Sequence, residues 1–515
     1  MTMENVDRRK TLTGKETMYI GDSDTLDLQD CIKNGSDMPD LFPRSKTLAA
    51  CGVGKVFKQP LVKTSLSGIL LGTMGQEMTG REVRFPWRDR SRHAYIVGAT
   101  GTGKSTLLFN MIRQDIENGE GTALIDPHGD LYHQVLMTIP PKRANDVVLI
   151  DPCNFEYAVG INFLECKDFY KPAQMNFVVN EMIKIFDRLY DLRTTGGPMF
   201  EQYVRNAMFL SMENDLDRAT LMDVPLIFED CKFRDYLKKK CHSKLTVNFW
   251  NRQAETAGGE ASLNNMAPYI TSKLNQFTNN AILRPIIGQR ESTINFREIM
   301  DEGKILLVNL SKGLLGSLDT QLLGMLVIGK ILTAAMGRAN IESDLRRPFF
   351  LYVDEFQNFT TDSVSTLLSE SRKYGIYLTL ANQTLTQLRA GKGQDVLDSV
   401  LGNAGSMMIL RSGIMDSEKL EMYTKPELTA QDLQELPDFH VAGRLLVNNS
   451  PTRPFVFRTL PAANGKENEM VEKIRTMSAM KYAKPITWVE QDILDRSKFD
   501  NSCLDENKVE DLFNN

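Results

Sequence analysis

A glycine-rich segment that ends in lysine and serine is the part of this sequence best suited to binding a ligand. It lies between an apolar run at residues 94–97 and a stretch of helical periodicity at residues 106–118. Glycines let backbone N–H groups point at phosphate oxygens, while the Lys104 ammonium reaches the β- and γ-phosphates and the Ser105 hydroxyl ligates Mg²⁺. The residues predicted to bind the nucleotide are Gly98, Ala99, Thr100, Gly101, Thr102, Gly103, Lys104, Ser105 and Thr106. The segment therefore predicts a site for a nucleoside triphosphate and Mg²⁺.

A second apolar run, residues 349–353, ends in two consecutive carboxylates, Asp354 and Glu355. In a phosphate-transfer site, Asp354 would hold the Mg²⁺ shell and Glu355 would act as the general base for an attacking water. Taken alone, the pattern also fits a buried strand that ends in a solvated acidic pair. Together with the phosphate loop it predicts an enzyme that hydrolyses ATP. A GTPase is disfavoured because no N/T-K-x-D motif follows an apolar strand.

Three further polar residues are candidates for the catalytic step. Gln383 follows the predicted strand at residues 376–381, where it could sense the γ-phosphate. Arg372 and Arg411 could stabilise charge on the transferred phosphoryl group, from the same chain or from a neighbouring subunit. The alternatives are a turn-capping amide for Gln383 and ordinary surface positions for both arginines.

Apolar runs that alternate with helical stretches predict an α/β fold with a mostly parallel sheet. The alternation stops between residues 168 and 300, where apolar positions recur three and four apart and predict an all-helical insertion. The predicted divisions are an N-terminal polar segment (1–62), a first part of the core (63–167), the helical insertion (168–300), a second part of the core (301–460) and a helical, acidic C-terminal tail (461–515).

Charge limits how this chain could bind nucleic acid. A net charge of −5 excludes a surface that is basic overall, so DNA would need local basic patches. Two candidate patches are Arg81–Arg92, which interleaves arginines with aromatic residues, and Lys238–Lys240 in the predicted insertion. The alternative for both is an ordinary solvated run of charge.

Cysteine usage and hydropathy point to the cytoplasm. The seven cysteines form no C-x-x-C pair, which fits reduced thiols and predicts no zinc site. No signal peptide is recognised, and the longest apolar stretches, residues 66–74 and 322–328, are too short to span a bilayer. We therefore expect a cytoplasmic protein without an integral membrane segment.

Four motifs in this order resemble the type IV coupling-protein-like (TraD/TraG-like) ATPases of the FtsK/HerA superfamily, in a branch without a membrane anchor. The matching segments are residues 92–104, 123–131, 304–312 and 352–358. The resemblance implies a RecA-like P-loop core that assembles into hexameric rings and moves DNA, alone or with attached protein. It assigns Lys104, Ser105, Asp354, Glu355 and Gln383 to the ATP and Mg²⁺ site.

The resemblance also implies partners, and it leaves three functions open. It places Arg372 near a subunit interface and the helical insertion near DNA or cargo. The leading hypothesis is a DNA translocase for conjugation-type transfer, with a relaxase or a secretion channel as partner. The second is a HerA-like translocase that works beside a nuclease in DNA processing or anti-phage defence. The third is a nucleotide-switched cargo adaptor for a secretion system.

Overall fold

The computed structural model describes residues 17–20, 24–27, 65, 67–74, 80–166, 172–213, 219–389, 394–463, 465 and 467–497. The chain divides into two units, Met1–Leu61 and Val62–Asn515. In the first unit, Thr17–Ile20 pairs antiparallel with Asp24–Asp27. Most of the predicted N-terminal segment and the last part of the predicted tail lie outside the described residues.

A mixed sheet of eleven described strands forms the core of the second unit. Its strands are β1 (Ile69–Met74), β2 (Arg81–Phe85), β3 (Ala94–Val97), β4 (Gly121–Asp126), β5 (Val147–Ile150), β6 (Ile305–Asn309), β7 (Phe349–Val353), β8 (Ile376–Asn382), β9 (Ser406–Ile409), β10 (His440–Arg444) and β11 (Phe455–Thr459). Their order across the sheet is β2-β1-β11-β10-β9-β3-β8-β7-β4-β6-β5. The strands from β9 to β5 pair in parallel and the remaining pairs are antiparallel, which confirms the mostly parallel sheet predicted from the sequence.

The central strands are buried along their whole length, which explains why their sequences are continuous apolar runs. Every residue of β3, β4, β6 and β7 is buried. Strands covered on both faces need apolar side chains at every position. Because these strands are parallel, the residues that follow β3, β4, β7 and β8 all lie at one edge of the sheet, its carboxyl edge.

Helices connect and cover these strands. The described α-helices are α1 (Trp87–Arg90), α2 (Lys104–Glu117), α3 (Asp130–Leu136), α4 (Pro172–Tyr190), α5 (Leu192–Thr195), α6 (Gly197–Met212), α7 (Asp223–Glu229), α8 (Cys231–Lys240), α9 (Lys244–Phe249), α10 (Leu263–Thr278), α11 (Arg284–Ile287), α12 (Phe296–Glu302), α13 (Lys312–Leu315), α14 (Ser317–Gly337), α15 (Asp362–Glu370), α16 (Gln394–Asn403), α17 (Ile414–Thr424), α18 (Ala430–Gln434), α19 (Glu469–Tyr482) and α20 (Ile486–Ser497). Helices α4 to α12 follow one another between β5 and β6, in the segment predicted to be helical. Helix α19 contacts the edge strand β5, where Leu149 N donates to Ser478 Oγ over 2.9 Å.

Helix α14, Ser317–Gly337, is a long and strongly apolar helix. The segment Ser317–Asn340 is long and apolar enough to cross a membrane by length and composition, with a mean hydropathy of 1.5 over an 18-residue window. However, 67% of that window is buried inside the protein. Leu322, Leu323 and Leu326 have almost no exposed surface, as in the core helix of a globular fold. The uncharged run at residues 322–328 is thus the middle part of a buried core helix.

Candidate functional site

The phosphate loop joins β3 to α2 at the carboxyl edge of the sheet. Its backbone is tied to the neighbouring strands, because Gly98 N donates to Asn382 O over 3.3 Å and Ala99 N donates to Arg411 O over 2.9 Å. Gly101 and Gly103 have φ angles of 79° and 106°, a region that L side chains rarely adopt. A Cβ on Gly101 would meet no atom of the described residues within 4 Å, so that side of the loop is open to a ligand.

The hydroxyl residues of the loop differ in exposure. Ser105 is exposed at the start of α2, and Thr106 behind it is half-buried. Thr102 is buried, and its Oγ1 donates to Ala99 O over 2.7 Å, which braces the loop internally. Thr100 and Ser105 are therefore the exposed hydroxyl residues of this segment, and Ser105 is the one that directly follows the phosphate-loop lysine.

Lys104 meets both acidic residues that follow β7. Its Nζ lies 2.5 Å from Glu355 Oε1 and 3.7 Å from Asp354 Oδ1, and all three side chains are nearly buried. Lys104 is 250 or more positions from both carboxylates in sequence, and the parallel pairing of β3, β8 and β7 brings the three residues to one edge. We call Lys104, Asp354 and Glu355 the loop cluster.

Three donors converge on the Glu355 carboxylate. Besides Lys104, Gln383 Nε2 donates to Oε1 over 3.0 Å and Gln357 Nε2 donates to Oε2 over 2.6 Å. Burial alone would raise the pKa of Glu355, but the Lys104 charge and these hydrogen bonds outweigh it and hold that pKa below its ordinary value. Sequence reasoning missed Gln357, although its position two residues after the acidic pair was a usable signal. Glu355 also has a φ of 45°, strained backbone of the kind found at functional sites.

Asp354 is less well compensated. Its pKa is raised to about 6, because burial and the negative charges of Glu355 and Asp126 together outweigh the lowering effect of the Lys104 charge. One ammonium thus serves two buried carboxylates, with a third carboxylate close by. A divalent cation bound beside Asp354 and the exposed Ser105 hydroxyl would supply the missing positive charge, so the residues present fit a Mg²⁺ site.

The structure places the two candidate arginines apart from the loop cluster. Arg411 follows β9, on the other side of β3 from β8, and its Nη2 lies 2.7 Å from Asp438 Oδ1. Arg372 is exposed just before β8, at the amino edge of the sheet. Buried His93 lies at the same edge; burial, with a smaller contribution from the Arg372 charge, lowers the pKa of His93 to about 4. Arg372 therefore cannot reach the loop cluster of its own chain.

The structure corrects the prediction that Arg81–Arg92 forms one basic patch for DNA, because one of its arginines is buried. Arg90 is only 3% exposed, and its two terminal nitrogens each lie 2.6 Å from an Asp115 carboxylate oxygen. Tyr352 Oη accepts a further bond from Arg90 and donates to Asp115, both at 2.6 Å. We call Arg90, Asp115 and Tyr352 the clamp cluster. A guanidinium held in this way cannot contact DNA, whereas Arg88 and Arg92 are exposed.

The second basic patch, Lys238–Lys240, is also divided. Lys238 Nζ lies 2.7 Å from Asp235 and 2.9 Å from Glu255, and its side chain is 12% exposed. Lys239 and Lys240 are exposed at the end of α8. Only these two lysines of the patch present their charge to solvent, since acidic neighbours neutralise Lys238.

The mixed sheet and the loop that joins β3 to α2 define a P-loop protein with a RecA-like core. Residues 72–334 match the family described as the central domain of the helicase HerA, and this chain belongs to that family. Residues 348–426, which contain the acidic pair, match the family described as the TraM recognition site of TraD and TraG. These matches confirm the resemblance to TraD/TraG-like ATPases of the FtsK/HerA superfamily. No curated protein sequence matches the chain.

Several solved structures share this fold at low sequence identity. The unbound bacterial conjugative coupling protein TrwBdeltaN70 is 15% identical, with a TM-score of 0.57 over 80% of this chain and 97% of that one. The plasmid coupling protein TrwB in complex with ADP and Mg²⁺ is 16% identical, with a TM-score of 0.54 over 80% of this chain and 98% of that one. VirB4 of Thermoanaerobacter pseudethanolicus is 15% identical, with a TM-score of 0.50 over 78% of this chain and 98% of that one. These similarities confirm the predicted RecA-like fold.

Proposed function

We propose that this protein is an ATP-hydrolysing motor of the coupling-protein type, which moves DNA or a DNA–protein cargo in conjugation-type transfer. The observation that carries the proposal is the loop cluster, in which a phosphate-loop lysine lies 2.5 Å from Glu355 and 3.7 Å from Asp354. Support also comes from TrwB, which has been solved with ADP and Mg²⁺ and with the ATP analogue ADPNP.

In this proposal the loop holds the triphosphate and Lys104 exchanges its carboxylate partners for the β- and γ-phosphates. Release from Lys104 frees the Glu355 carboxylate to accept a proton from the attacking water. Gln383, 3.0 Å from Glu355, is placed to orient that water or to respond to the γ-phosphate. Ser105 and Asp354 would hold Mg²⁺, which would supply positive charge to the phosphate oxygens.

We further propose that the active form is a hexameric ring. Arg372 is exposed at the opposite edge of the sheet from its own loop cluster, so it would act on the site of a neighbouring subunit. Arg411 lies beside its own loop but is paired with Asp438, and its catalytic role remains a prediction.

DNA contacts would come from the exposed part of the two basic patches. Arg88, Arg92, Lys239 and Lys240 are exposed and suited to binding a phosphate backbone, whereas Arg90 and Lys238 are held by acidic partners. We propose in addition that the protein acts in the cytoplasm and that its partner there is a relaxase or a secretion channel.

The match of residues 348–426 to the TraD and TraG family favours the coupling-protein hypothesis over a HerA-like motor with a nuclease partner. A cargo adaptor is disfavoured because a scaffold has no need for a carboxylate held by three donors at the phosphate loop.

The test is ATP hydrolysis by the full chain with no DNA, with single-stranded DNA and with double-stranded DNA, together with particle size in solution. The proposal predicts Mg²⁺-dependent hydrolysis that DNA stimulates, in particles several times the mass of one chain. Hydrolysis that DNA leaves unchanged would favour the adaptor, and an absence of nucleotide binding would refute the ATPase site itself.

A further inference from the structure

Phe439 occupies an unusual position next to the phosphate loop. Its side chain is 42% exposed, and its φ angle is 63°, a backbone conformation that is strained for a bulky residue. Both of its backbone groups are bonded, since Phe439 N donates to Thr102 O and Phe439 O accepts from Thr459 N, each over 2.8 Å. The fold thus fixes an exposed aromatic ring in a strained conformation.

The ring lies directly against the loop. A Cβ built on Gly103 would come within 2.7 Å of Phe439 Cδ1, so only glycine at position 103 leaves room for it. Gly103 immediately precedes Lys104, the residue that reaches the terminal phosphates. The ring is therefore beside the phosphate loop, and Phe439 remains 42% exposed there.

The order of the strands indicates on which side of β3 the phosphates and the nucleoside would lie. The loop cluster and Gln383 lie on the side of β3 that faces β8 and β7. Phe439 precedes β10, which lies beyond β9 on the opposite side of β3. A triphosphate whose terminal phosphates meet Lys104 must extend its nucleoside away from the acidic pair, toward β9 and β10.

We propose that Phe439 stacks on the base of the bound nucleotide and is the residue that recognises the nucleoside. The proposal rests on the nucleotide site described above. Stacking on a ring face strengthens binding of any nucleobase, by about tenfold for one aromatic contact, and it acts on the base alone. Strained backbone at Phe439 is then a consequence of holding the ring over the site.

The test compares binding of ADP and of inorganic pyrophosphate, which has no base, to the full chain. Phe439→Asn removes the ring, and asparagine tolerates a positive φ, so the bonds to Thr102 and Thr459 are retained. We expect ADP to bind about tenfold more weakly to this variant while pyrophosphate binds as to the wild type. Leu345→Asn, which removes an exposed apolar side chain just before β7 at the other edge of the sheet, should leave both affinities unchanged.

A tryptophan at the same position gives a second readout that does not depend on losing the ring. The fluorescence of Phe439→Trp should change on addition of ADP and stay constant on addition of pyrophosphate. An equal loss of both ligands in Phe439→Asn, or an unchanged ADP affinity, would overturn the stacking role while leaving the ATPase site intact. Failure of the wild type to bind either ligand would refute the nucleotide site and the stacking role together.

Discussion

Two buried ionic clusters each join helix α2 to strand β7 or to the residues directly after it, and they differ in charge balance. In the clamp cluster, one guanidinium meets one carboxylate through two bonds of 2.6 Å, and the Tyr352 hydroxyl bridges them. In the loop cluster, one ammonium meets two carboxylates at 2.5 Å and 3.7 Å, and Asp126 adds further negative charge. The opposite charges of the first cluster are equal in number without a ligand, whereas the second has more carboxylates than cations.

This difference separates a structural ion pair from a ligand site. A buried charge is costly unless it is paired, so an unbalanced cluster persists only where its residues serve another purpose. Burial first, and then the charges of Glu355 and Asp126 that Lys104 only partly offsets, raise the pKa of Asp354 to about 6. In the proposed function a cation and phosphates would complete the loop cluster, while the clamp cluster ties α1 and α2 to β7.

The largest expected effect is on catalysis at the loop cluster. Glu355→Gln keeps the size of the side chain but cannot accept a proton, so ATP turnover should fall by about 10²- to 10⁴-fold while ATP still binds. Turnover and nucleotide affinity should be measured on the same preparation. Wild-type turnover in this variant would assign the general base to another residue.

The second prediction uses matched variants of the two clusters in the nucleotide-free protein. Asp115→Asn removes one partner of the balanced pair and should lower stability by about 3–5 kcal/mol. Asp354→Asn removes the uncompensated carboxylate and should raise stability by about 2–3 kcal/mol near neutral pH. Melting temperatures of the two variants should therefore move in opposite directions from the wild type. A lower melting temperature for both would mean that the loop cluster is balanced after all.

The pH dependence of the Asp354→Asn effect follows from the sign of the pKa shift. Because the folded protein raises the pKa of Asp354, it binds the proton more tightly than the unfolded chain does, and this contribution to stability is lost as the pH rises toward about 6. The advantage of Asp354→Asn over the wild type should grow from about pH 4 to about pH 7. A constant difference across that range would contradict the raised pKa.

The smallest expected effect extends the comparison to the basic residues of α8. Replacing Lys239 and Lys240 by alanine should weaken DNA binding and reduce the slope of log affinity against log salt by about one for each phosphate that is no longer neutralised. Lys238→Ala is the matched control, because Asp235 and Glu255 already neutralise that lysine. An equal change in slope for the control, or no change for the pair, would move the DNA path elsewhere.

Local patterns predicted the elements of the fold better than their long-range contacts. The alternation of apolar runs and helical stretches predicted the parallel strands because each buried strand is continuously apolar. The order across the sheet, including the insertion of β11 between β1 and β10, depends on pairings between distant segments that no local pattern encodes.

The same limit applies to individual charges. Lys104 and Asp354 were predicted to share a site because each follows an apolar run and the two motifs supply complementary halves of a phosphate-transfer site. Arg90 looked like part of an exposed basic run, since its partners Asp115 and Tyr352 are 25 and 262 positions away. Phe439 escaped notice because its significance lies in contact with Gly103, which only the folded chain creates.

The most direct test of the ATPase site is the steady-state rate of ATP hydrolysis by Lys104→Ala. Lys312→Ala, a lysine that follows β6 at the same edge of the sheet, serves as control. With the fold verified by circular dichroism, Lys104→Ala should lose at least about 100-fold in rate, because the positive charge that stabilises the phosphates is gone. The control should hydrolyse ATP at the wild-type rate. A folded Lys104→Ala protein that hydrolyses ATP as fast as the wild type would contradict the assignment of this site.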